Sequence, residues 1–152
     1  MSEMPIDPDV DLHDPAERAE LRPSPVPVLA AISAGGVIGA LARYGLATAW
    51  PHDPAGFSWA IWTVNVSGCF LIGVLMALIA RRLPKQRLIR PFFGVGVLGG
   101  YTTFSTSVVD VQQAAAHGAA GVALLYLGAT IVGALLAVWA GVTLTTAAVR
   151  PR

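Results

Sequence analysis

Four long apolar segments dominate this sequence and restrict its possible folds more than any other feature. They run over about residues 28–49, 59–80, 91–112 and 119–146. A helix needs ~20 mostly apolar residues to cross the hydrocarbon core of a bilayer, and each segment is long enough. Only 12% of the residues are charged, whereas an ordinary globular domain has about 25%. We therefore predict an all-α integral membrane protein with four transmembrane helices.

The first 27 residues have a different composition from the rest of the chain. They hold seven of the nine acidic residues and six of the eleven prolines. They lack the positively charged start of a signal peptide, and an acidic segment punctuated by proline is typical of disorder. We predict a disordered acidic tail over residues 1–27, followed by a single four-helix transmembrane domain over residues 28–149.

The basic residues predict how the four helices are oriented. With four spans, the N-terminal tail, the loop over residues 81–90 and the C-terminal tail share one side of the membrane, and they hold nine of the ten Lys and Arg residues. The other two loops hold none, and the tenth, Arg43, lies within the first segment. Because an excess of Lys and Arg marks the cytoplasmic side, we predict a multi-pass protein of the cell membrane with both termini in the cytoplasm.

The third apolar segment contains an unusually polar stretch, Gly99-Gly100-Tyr101-Thr102-Thr103-Phe104-Ser105-Thr106-Ser107. Glycine costs ~1 kcal/mol relative to alanine in a helix interior, and the clustered threonines add to this cost. We predict that the third helix is broken mid-membrane here and that the freed backbone groups bind protein, water or an ion. The hydroxyls of Thr103, Ser105, Thr106 and Ser107 can then line a polar path. The alternative is a kinked helix whose hydroxyls bond back to its own carbonyls.

Two further polar residues lie inside apolar segments. The guanidinium of Arg43 either reaches the nearby interface, with Tyr44 and Trp50 in the aromatic belt, or provides a fixed positive charge that attracts an anion. Asn65 either bonds a neighbouring helix or lines a polar path. The residues alone leave both pairs of alternatives open.

Glycines predict where the helices approach one another, because small residues allow close packing in lipid. The relevant positions are two Gly-xxx-Gly pairs and two glycines of the second segment: Gly35 with Gly39, Gly96 with Gly100, Gly68 and Gly73.

Several functional classes are not favoured by the sequence. No nucleophile–base pair stands out, so we do not expect an enzyme. The run from Gly94 to Gly99 matches G-x-G-x-x-G, but that pattern binds dinucleotides only after a strand in a βαβ unit. Here it lies in a membrane segment, and we expect no nucleotide or nucleic-acid partner. A small proton-coupled exporter would need a membrane-embedded carboxylate, and the one candidate, Asp110, lies near the end of the third segment.

Three motifs occur in order along the first three helices. They are Gly35-Gly36-Val37-Ile38-Gly39-Ala40-Leu41-Ala42-Arg43-Tyr44, then Asn65 with Gly68, Phe70 and Gly73, then Gly99-Gly100-Tyr101-Thr102-Thr103-Phe104-Ser105-Thr106. The first resembles G-G-x-x-G-A-x-x-R-Y, the second N-x-x-G-x-F-x-x-G and the third G-G-x-T-T-F-S-T. These are motifs of the fluoride channels called Fluc or CrcB, which the chain resembles over about residues 29–146.

The resemblance implies a fluoride-selective channel domain through which fluoride leaves the cytoplasm by passive diffusion, so that its toxicity is reduced. It implies an antiparallel dimer in membrane lipid with two fluoride pores. A structural sodium ion would be held at the dimer centre by the backbone carbonyls of Gly99 and Thr102. The residues expected along the fluoride pore are Asn65, Thr103, Phe104, Ser105, Thr106, Tyr126 and Thr130.

This sequence departs from the family pattern in two places. Ser107 stands where the family usually continues S-T-F, and Ala60-Ile61 stand where it often has Gly-Thr. A pore built only from this chain would lack one aromatic ring per subunit, so a non-conducting structural subunit is the alternative function. The charge bias adds a hypothesis. Antiparallel copies of one chain must insert both ways, whereas a steep bias favours a single orientation, so the partner is expected to be a second, homologous subunit of opposite orientation.

Overall fold

The structure is a computed structural model that describes residues 25–82 and 87–149. Its helices are α1 (Val26–Ala49), α2 (Trp59–Arg82), α3 (Arg90–Leu98), the single turn α4 (Gly99–Tyr101), α5 (Ser105–Ala116) and α6 (Ala120–Ala148). Residues 1–24 of the predicted acidic tail and residues 83–86 of the basic loop lie outside the described residues.

The predicted all-α fold with four membrane-spanning helices is confirmed. Four helical runs are long and apolar enough to cross a membrane: Val26–Ala49, Trp59–Arg81, Arg90–Ala116 and Ala120–Ala148. The third is composite, since it joins α3, α4 and α5, and α3 is a π-helix in which the Gly99 N–H reaches the Gly94 carbonyl. Within the described ranges there is no strand. Large apolar side chains remain exposed along α6, as with Leu124 and Trp139, and this is expected of a helix that faces lipid or another subunit.

The two Gly-xxx-Gly pairs lie where α1 crosses the third span. A Cβ added at Gly39 would lie 2.7 Å from the backbone nitrogen of Tyr101, and one added at Gly100 would lie 2.5 Å from the carbonyl oxygen of Gly36. Gly35 and Gly96 face each other in the same way. Since these contacts are between backbones, no side-chain movement could relieve the steric overlap that a larger residue would cause. The close approach holds the beginning of the polar stretch against α1.

A first prediction tests this crossing. Changing Gly39→Ala should lower the stability of the detergent-solubilised protein by about 3 kcal/mol, the upper end of the usual overpacking cost. Gly45→Ala is the matched control, because it is on the same helix and an added Cβ there meets nothing within 4 Å. Thermal unfolding followed by size-exclusion chromatography measures both variants. Equal melting temperatures for the two would contradict the crossing.

A second pair of helices, α2 and α6, also crosses at glycines. A Cβ at Gly73 would lie 3.1 Å from the backbone nitrogen of Val142, and one at Gly141 would lie 3.1 Å from that of Val74. The indole N–H of Trp62 on α2 donates to the carbonyl of Ala129 on α6, at 3.1 Å. The subunit thus consists of two close pairs, α1 with α3 and α2 with α6, and α5 packs on α6.

The third span is interrupted at the polar stretch. Helix α4 ends at Tyr101, Thr102 is extended with φ −79° and ψ 156°, and α5 begins at Ser105. The helical hydrogen-bond ladder therefore stops for three residues, which leaves backbone groups to be satisfied from elsewhere. The depth of this interruption in a bilayer stays a prediction.

Candidate functional site

The side chain of Asn65 bridges the interruption. Its Nδ2 group donates to the Thr103 carbonyl at 2.9 Å, and its Oδ1 accepts the Thr103 N–H at 2.8 Å. Nδ2 also donates to the Ser107 hydroxyl at 2.8 Å, and that hydroxyl donates to the Thr103 carbonyl at 3.2 Å. Of the two alternatives for Asn65, bonding to a neighbouring helix is therefore observed. The amide binds both backbone groups of Thr103 and fixes where the helix stops.

Two side chains, Asn65 and Thr103, take backbone N–H groups that would otherwise bond carbonyls of the third span. In a continuous helix the Thr103 N–H would donate to the Gly99 carbonyl, but it donates to Asn65 instead. Likewise the Thr106 N–H would donate to the Thr102 carbonyl, but it donates to the Thr103 hydroxyl at 3.2 Å. No described residue donates a hydrogen bond to either carbonyl. The Tyr101 carbonyl also has no donor among the described residues. Gly99 and Thr102 are the two positions at which the family resemblance implies a sodium ion.

A groove lies beside the interruption, between α2, α5 and α6. Its volume is about 340 Å³, and its walls are mostly apolar with a few polar groups. It is lined by Asn65, Cys69, Thr102, Thr103, Phe104, Ser107, Val108, Val111, Tyr126, Leu127, Thr130, Ile131 and Ala134. Concave, largely apolar sites with a few placed polar groups are the usual form of a binding site for small ligands.

Five of the seven residues predicted along the pore line this groove: Asn65, Thr103, Phe104, Tyr126 and Thr130. Phe104 is 82% exposed on the single subunit, whereas Tyr126 is only 2% exposed. The Thr130 hydroxyl donates back to the Tyr126 carbonyl at 2.7 Å. The groove thus runs from the interruption to the buried ring of Tyr126.

The other two predicted pore residues lie outside the groove lining. Ser105 is exposed at the start of α5, and the Thr106 hydroxyl accepts a hydrogen bond from Thr103 at 3.0 Å. Their part in a pore stays a prediction. The same is true of Arg43 as an attractor of anions. Its Nε donates to the Gly100 carbonyl at 3.2 Å, so that the guanidinium lies against the interrupted helix.

A smaller pocket of about 210 Å³ lies next to the interruption. It is lined by Gly68, Cys69, Ile72, Gly94, Leu98, Gly99 and Thr102. Gly99 and Thr102 belong to it, and its other residues offer no charged group. Uncharged carbonyl oxygens are ligands that hard cations accept, so this backbone arrangement fits a sodium ion. The carboxylate, histidine and cysteine side chains of the described residues form no cluster of three or more.

At the Tyr126 end of the groove the structure brings together residues that the sequence did not connect. Asp110 is buried, at 8% exposure, and its Oδ2 lies 3.5 Å from the Tyr126 phenolic oxygen. Its Oδ1 lies 3.9 Å from Nε2 of His52, in the loop before α2. The Phe57 and Tyr126 rings form a T-shaped pair, with centroids 5.0 Å apart. The sequence analysis missed this pairing because no motif or periodicity links His52 to Asp110.

Four apolar helices and a groove beside an interruption in the third define a multi-pass membrane protein with a candidate permeation site. A family model described as "CrcB-like protein, Camphor Resistance (CrcB)" matches residues 30–142. The chain belongs to this family, which confirms the resemblance.

Individual relatives agree with the family match. The chain is 55% identical over 112 residues to the fluoride-specific ion channel FluC 2 of Thermobifida fusca, covering 74% of this chain and 83% of the relative. It is 48% identical over 132 residues to FluC 2 of Nocardia farcinica, covering 87% and 91%. It is 46% identical over 125 residues to FluC 2 of Streptomyces avermitilis, covering 82% and 79%.

Proposed function

We propose that this protein is a subunit of a fluoride channel that conducts fluoride passively out of the cytoplasm. The observation that carries the proposal is the interruption bridged by Asn65, which opens onto the groove between α2, α5 and α6. Relatives that are 46–55% identical over most of this chain bear the name fluoride-specific ion channel. Conduction needs no covalent chemistry, so the residues act by position, charge and shape.

The groove residues can lower the barrier for a small anion in two ways. The edge of a phenyl ring carries positive quadrupole density, and Phe104 presents a largely exposed ring at the interruption. Hydroxyl groups can donate hydrogen bonds in place of the water that the ion loses. Tyr126 and Thr130 stand further along, and the Thr130 hydroxyl would have to turn from the Tyr126 carbonyl, which it now bonds, to donate to the ion. Since Phe104 is so exposed on one subunit, we propose that the pore is completed against a second subunit in an antiparallel dimer.

A structural sodium ion belongs to the same proposal. The free carbonyls of Gly99 and Thr102 would hold it, because two partial negative charges without donors in an apolar surrounding need a cation or water. A bound sodium would supply positive charge at the dimer centre and fix the interrupted helices of both subunits. The chain's own contribution is two side chains: Asn65 takes the N–H that would bond the Gly99 carbonyl, and the Thr103 hydroxyl takes the N–H that would bond the Thr102 carbonyl.

The departure at Ser107 favours a partner that is not identical to this chain. The Ser107 side chain is 7% exposed and bonds Asn65, so it strengthens the interruption instead of adding an aromatic ring to the groove. The alternative function, a non-conducting structural subunit, rests on this same residue. An exporter has weaker support, because the Asp110 carboxylate already lies close to both His52 and Tyr126.

The direct test is fluoride efflux from liposomes that contain this chain alone, followed with a fluoride electrode. Rapid efflux that is blind to chloride supports a conducting homodimer. Efflux that appears only when a homologous subunit is co-expressed supports an obligate heterodimer. The absence of efflux in both preparations contradicts the proposed function.

The charge bias gives an independent prediction on orientation. With nine Lys and Arg on one side and none on the other, we expect more than about 90% of the chains in a cell membrane to place both termini in the cytoplasm. Cysteine or epitope labelling of each terminus in intact and permeabilised cells measures this fraction. Equal labelling from both sides would show dual insertion and remove the need for a second subunit.

A further inference from the structure

One end of the helical bundle carries positive charge that nothing around it balances. Arg81 at the end of α2, Arg87 just before α3 and Arg90 at the start of α3 are all exposed, and we call these three residues the basic end. We propose that the basic end is an interaction surface for the acidic tail of this same chain, residues 1–24, which docks on it through carboxylate–guanidinium pairs. The proposal does not depend on fluoride conduction.

No described carboxylate lies where it can neutralise the basic end. The part of the chain that the structure describes contains two acidic side chains, Asp53 and Asp110. The ion pair found among these described residues joins Asp110 to His52, at the opposite end of the helices. Arg81 bonds a backbone carbonyl at 3.4 Å, but a carbonyl has no net charge to offer. Because a guanidinium stays protonated and carries five N–H donors, the basic end remains available to an anionic partner.

The acidic tail leaves the bundle next to this surface. Helix α1 and the third span run parallel, since a Cβ added at Gly96 would lie 2.9 Å from the Cα atom of Gly35, and one at Gly100 would lie 3.1 Å from the backbone nitrogen of Ala40. Continued back towards the start of both helices, the same register brings the beginning of α1 close to the level of Arg87. The tail and the basic end therefore lie on the same side of the bundle and are neighbours on it.

The length and charge of the tail fit this surface. The tail has seven acidic side chains against two basic ones, whereas residues 81–90 have five basic side chains and no acid. Glu20 and Glu17 precede Pro25 by five and eight residues, so their Cα atoms stay within ~18 Å and ~29 Å of it even in a fully extended chain. Tethering over such a distance gives an effective concentration of about millimolar order, which favours the tail over untethered peptides.

Anionic lipid headgroups are the competing partner for the same surface. Clusters of Lys and Arg beside a membrane helix are attracted to an anionic leaflet, but the carboxylates of the tail are repelled by it. Docking of the tail on the basic end pairs those carboxylates and removes this repulsion. The tail is therefore the partner that the charges of the whole chain favour, and lipid is the alternative that the experiment has to separate from it.

Lys85 makes a specific test possible, because it is the only lysine of the chain and lies in the loop between Arg81 and Arg90. A water-soluble carbodiimide joins an amine directly to a carboxylate, without a spacer. In the purified full chain we expect it to couple Lys85 to carboxylates among residues 3–20, and peptide mass spectrometry identifies the linked pairs. The yield should fall about fivefold between 0.1 M and 1 M salt, because the Debye length falls from ~10 Å to ~3 Å.

Two variants distinguish charge pairing from accidental proximity. Arg87→Gln combined with Arg90→Gln should lower the yield of Lys85 coupling about threefold or more, because two guanidinium partners are lost while Lys85 itself is kept. Both arginines are exposed at the end of the bundle, so the fold should be unaffected, and size-exclusion chromatography checks this. Asp53→Asn is the matched control. It removes an exposed carboxylate at the opposite end and should leave the yield unchanged.

The remaining outcomes decide between the tail and other partners. The absence of coupling, or a yield that does not respond to salt or to the loss of Arg87 and Arg90, overturns the proposal. So does coupling mainly between different chains in a mixture of isotopically light and heavy protein. Coupling that persists in phosphatidylcholine vesicles but is lost in phosphatidylglycerol vesicles would assign the basic end to lipid headgroups and also overturn the proposal, whereas coupling retained in both supports docking of the tail.

Discussion

Replacement of Asn65 by alanine is expected to reduce fluoride efflux about 100-fold. The side chain makes three short hydrogen bonds, two to the Thr103 backbone and one to the Ser107 hydroxyl. Each contributes ~1 kcal/mol net, and the loss of ~3 kcal/mol corresponds to about 100-fold in rate when the interrupted geometry is needed for passage. The measurement is initial efflux from liposomes, normalised to the amount of folded protein.

Two further variants distinguish the loss of the Asn65 hydrogen bonds from a general effect of substitution on helix α2. Asn65→Asp keeps an acceptor for the Thr103 N–H but loses both donors and adds a negative charge beside the anion path, so its rate should be at least as low as that of alanine. Ser67→Ala is the control on the same helix. Its hydroxyl bonds the Thr63 carbonyl and the Tyr101 phenol, outside the groove lining, and the rate should stay within about threefold of native. An active Asn65→Ala would show that the groove is not the fluoride path.

Removal of sodium is the second change with a large expected effect. A ligand present at 100 times its dissociation constant stabilises the folded state by ~2.7 kcal/mol. We therefore expect the purified protein to melt several degrees lower when a large organic cation replaces sodium, because the carbonyls of Gly99 and Thr102 then lose their cation. Thermal unfolding at equal ionic strength measures the shift. Identical melting temperatures in the two buffers would argue against a sodium ion at these carbonyls.

Thr103→Val tests which residue keeps the Thr102 carbonyl free. The substitution removes the hydroxyl that accepts the Thr106 N–H, and this N–H can then donate to the Thr102 carbonyl as in an ordinary helix. The sodium-dependent part of the stability should fall to less than about half of its native value. Thr143→Val is the matched control, since the Thr143 hydroxyl bonds only carbonyls of its own helix. An undiminished sodium effect in Thr103→Val would contradict this assignment.

Much of the fold could be read from local features of the sequence. The four spans follow from long runs of apolar residues, which are unfavourable when exposed to water. The observed helix bounds differ from the predicted ones by a few residues at most. The crossings of α1 with the third span follow from Gly35, Gly39, Gly96 and Gly100, because only small residues let helix backbones meet. The π-helical form of α3 was not predicted, since apolar periodicity alone does not distinguish it from an α-helix.

The site was predictable as a set of positions but not as an arrangement. The motifs and the family resemblance together named Asn65, Phe104, Tyr126 and Thr130, and these residues do line one groove. They did not reveal that both hydrogens of the Asn65 amide are already bonded, or that His52 faces Asp110 across 58 positions of sequence. Long-range pairs of this kind leave no periodic signal.

The sequence by itself determined where the chain crosses the membrane and where its third helix is weak, because apolar length and the helix cost of Gly99, Gly100, Thr102 and Thr103 are local properties. Only the tertiary structure decided which backbone groups are left free at that weak point. The outcome depends on a side chain from another helix: Asn65 on α2 takes the Thr103 N–H, and the Gly99 carbonyl loses its donor as a result. A helix interruption is encoded locally, but which of its carbonyls lose their donors depends in part on the neighbouring helix that supplies a competing hydrogen bond.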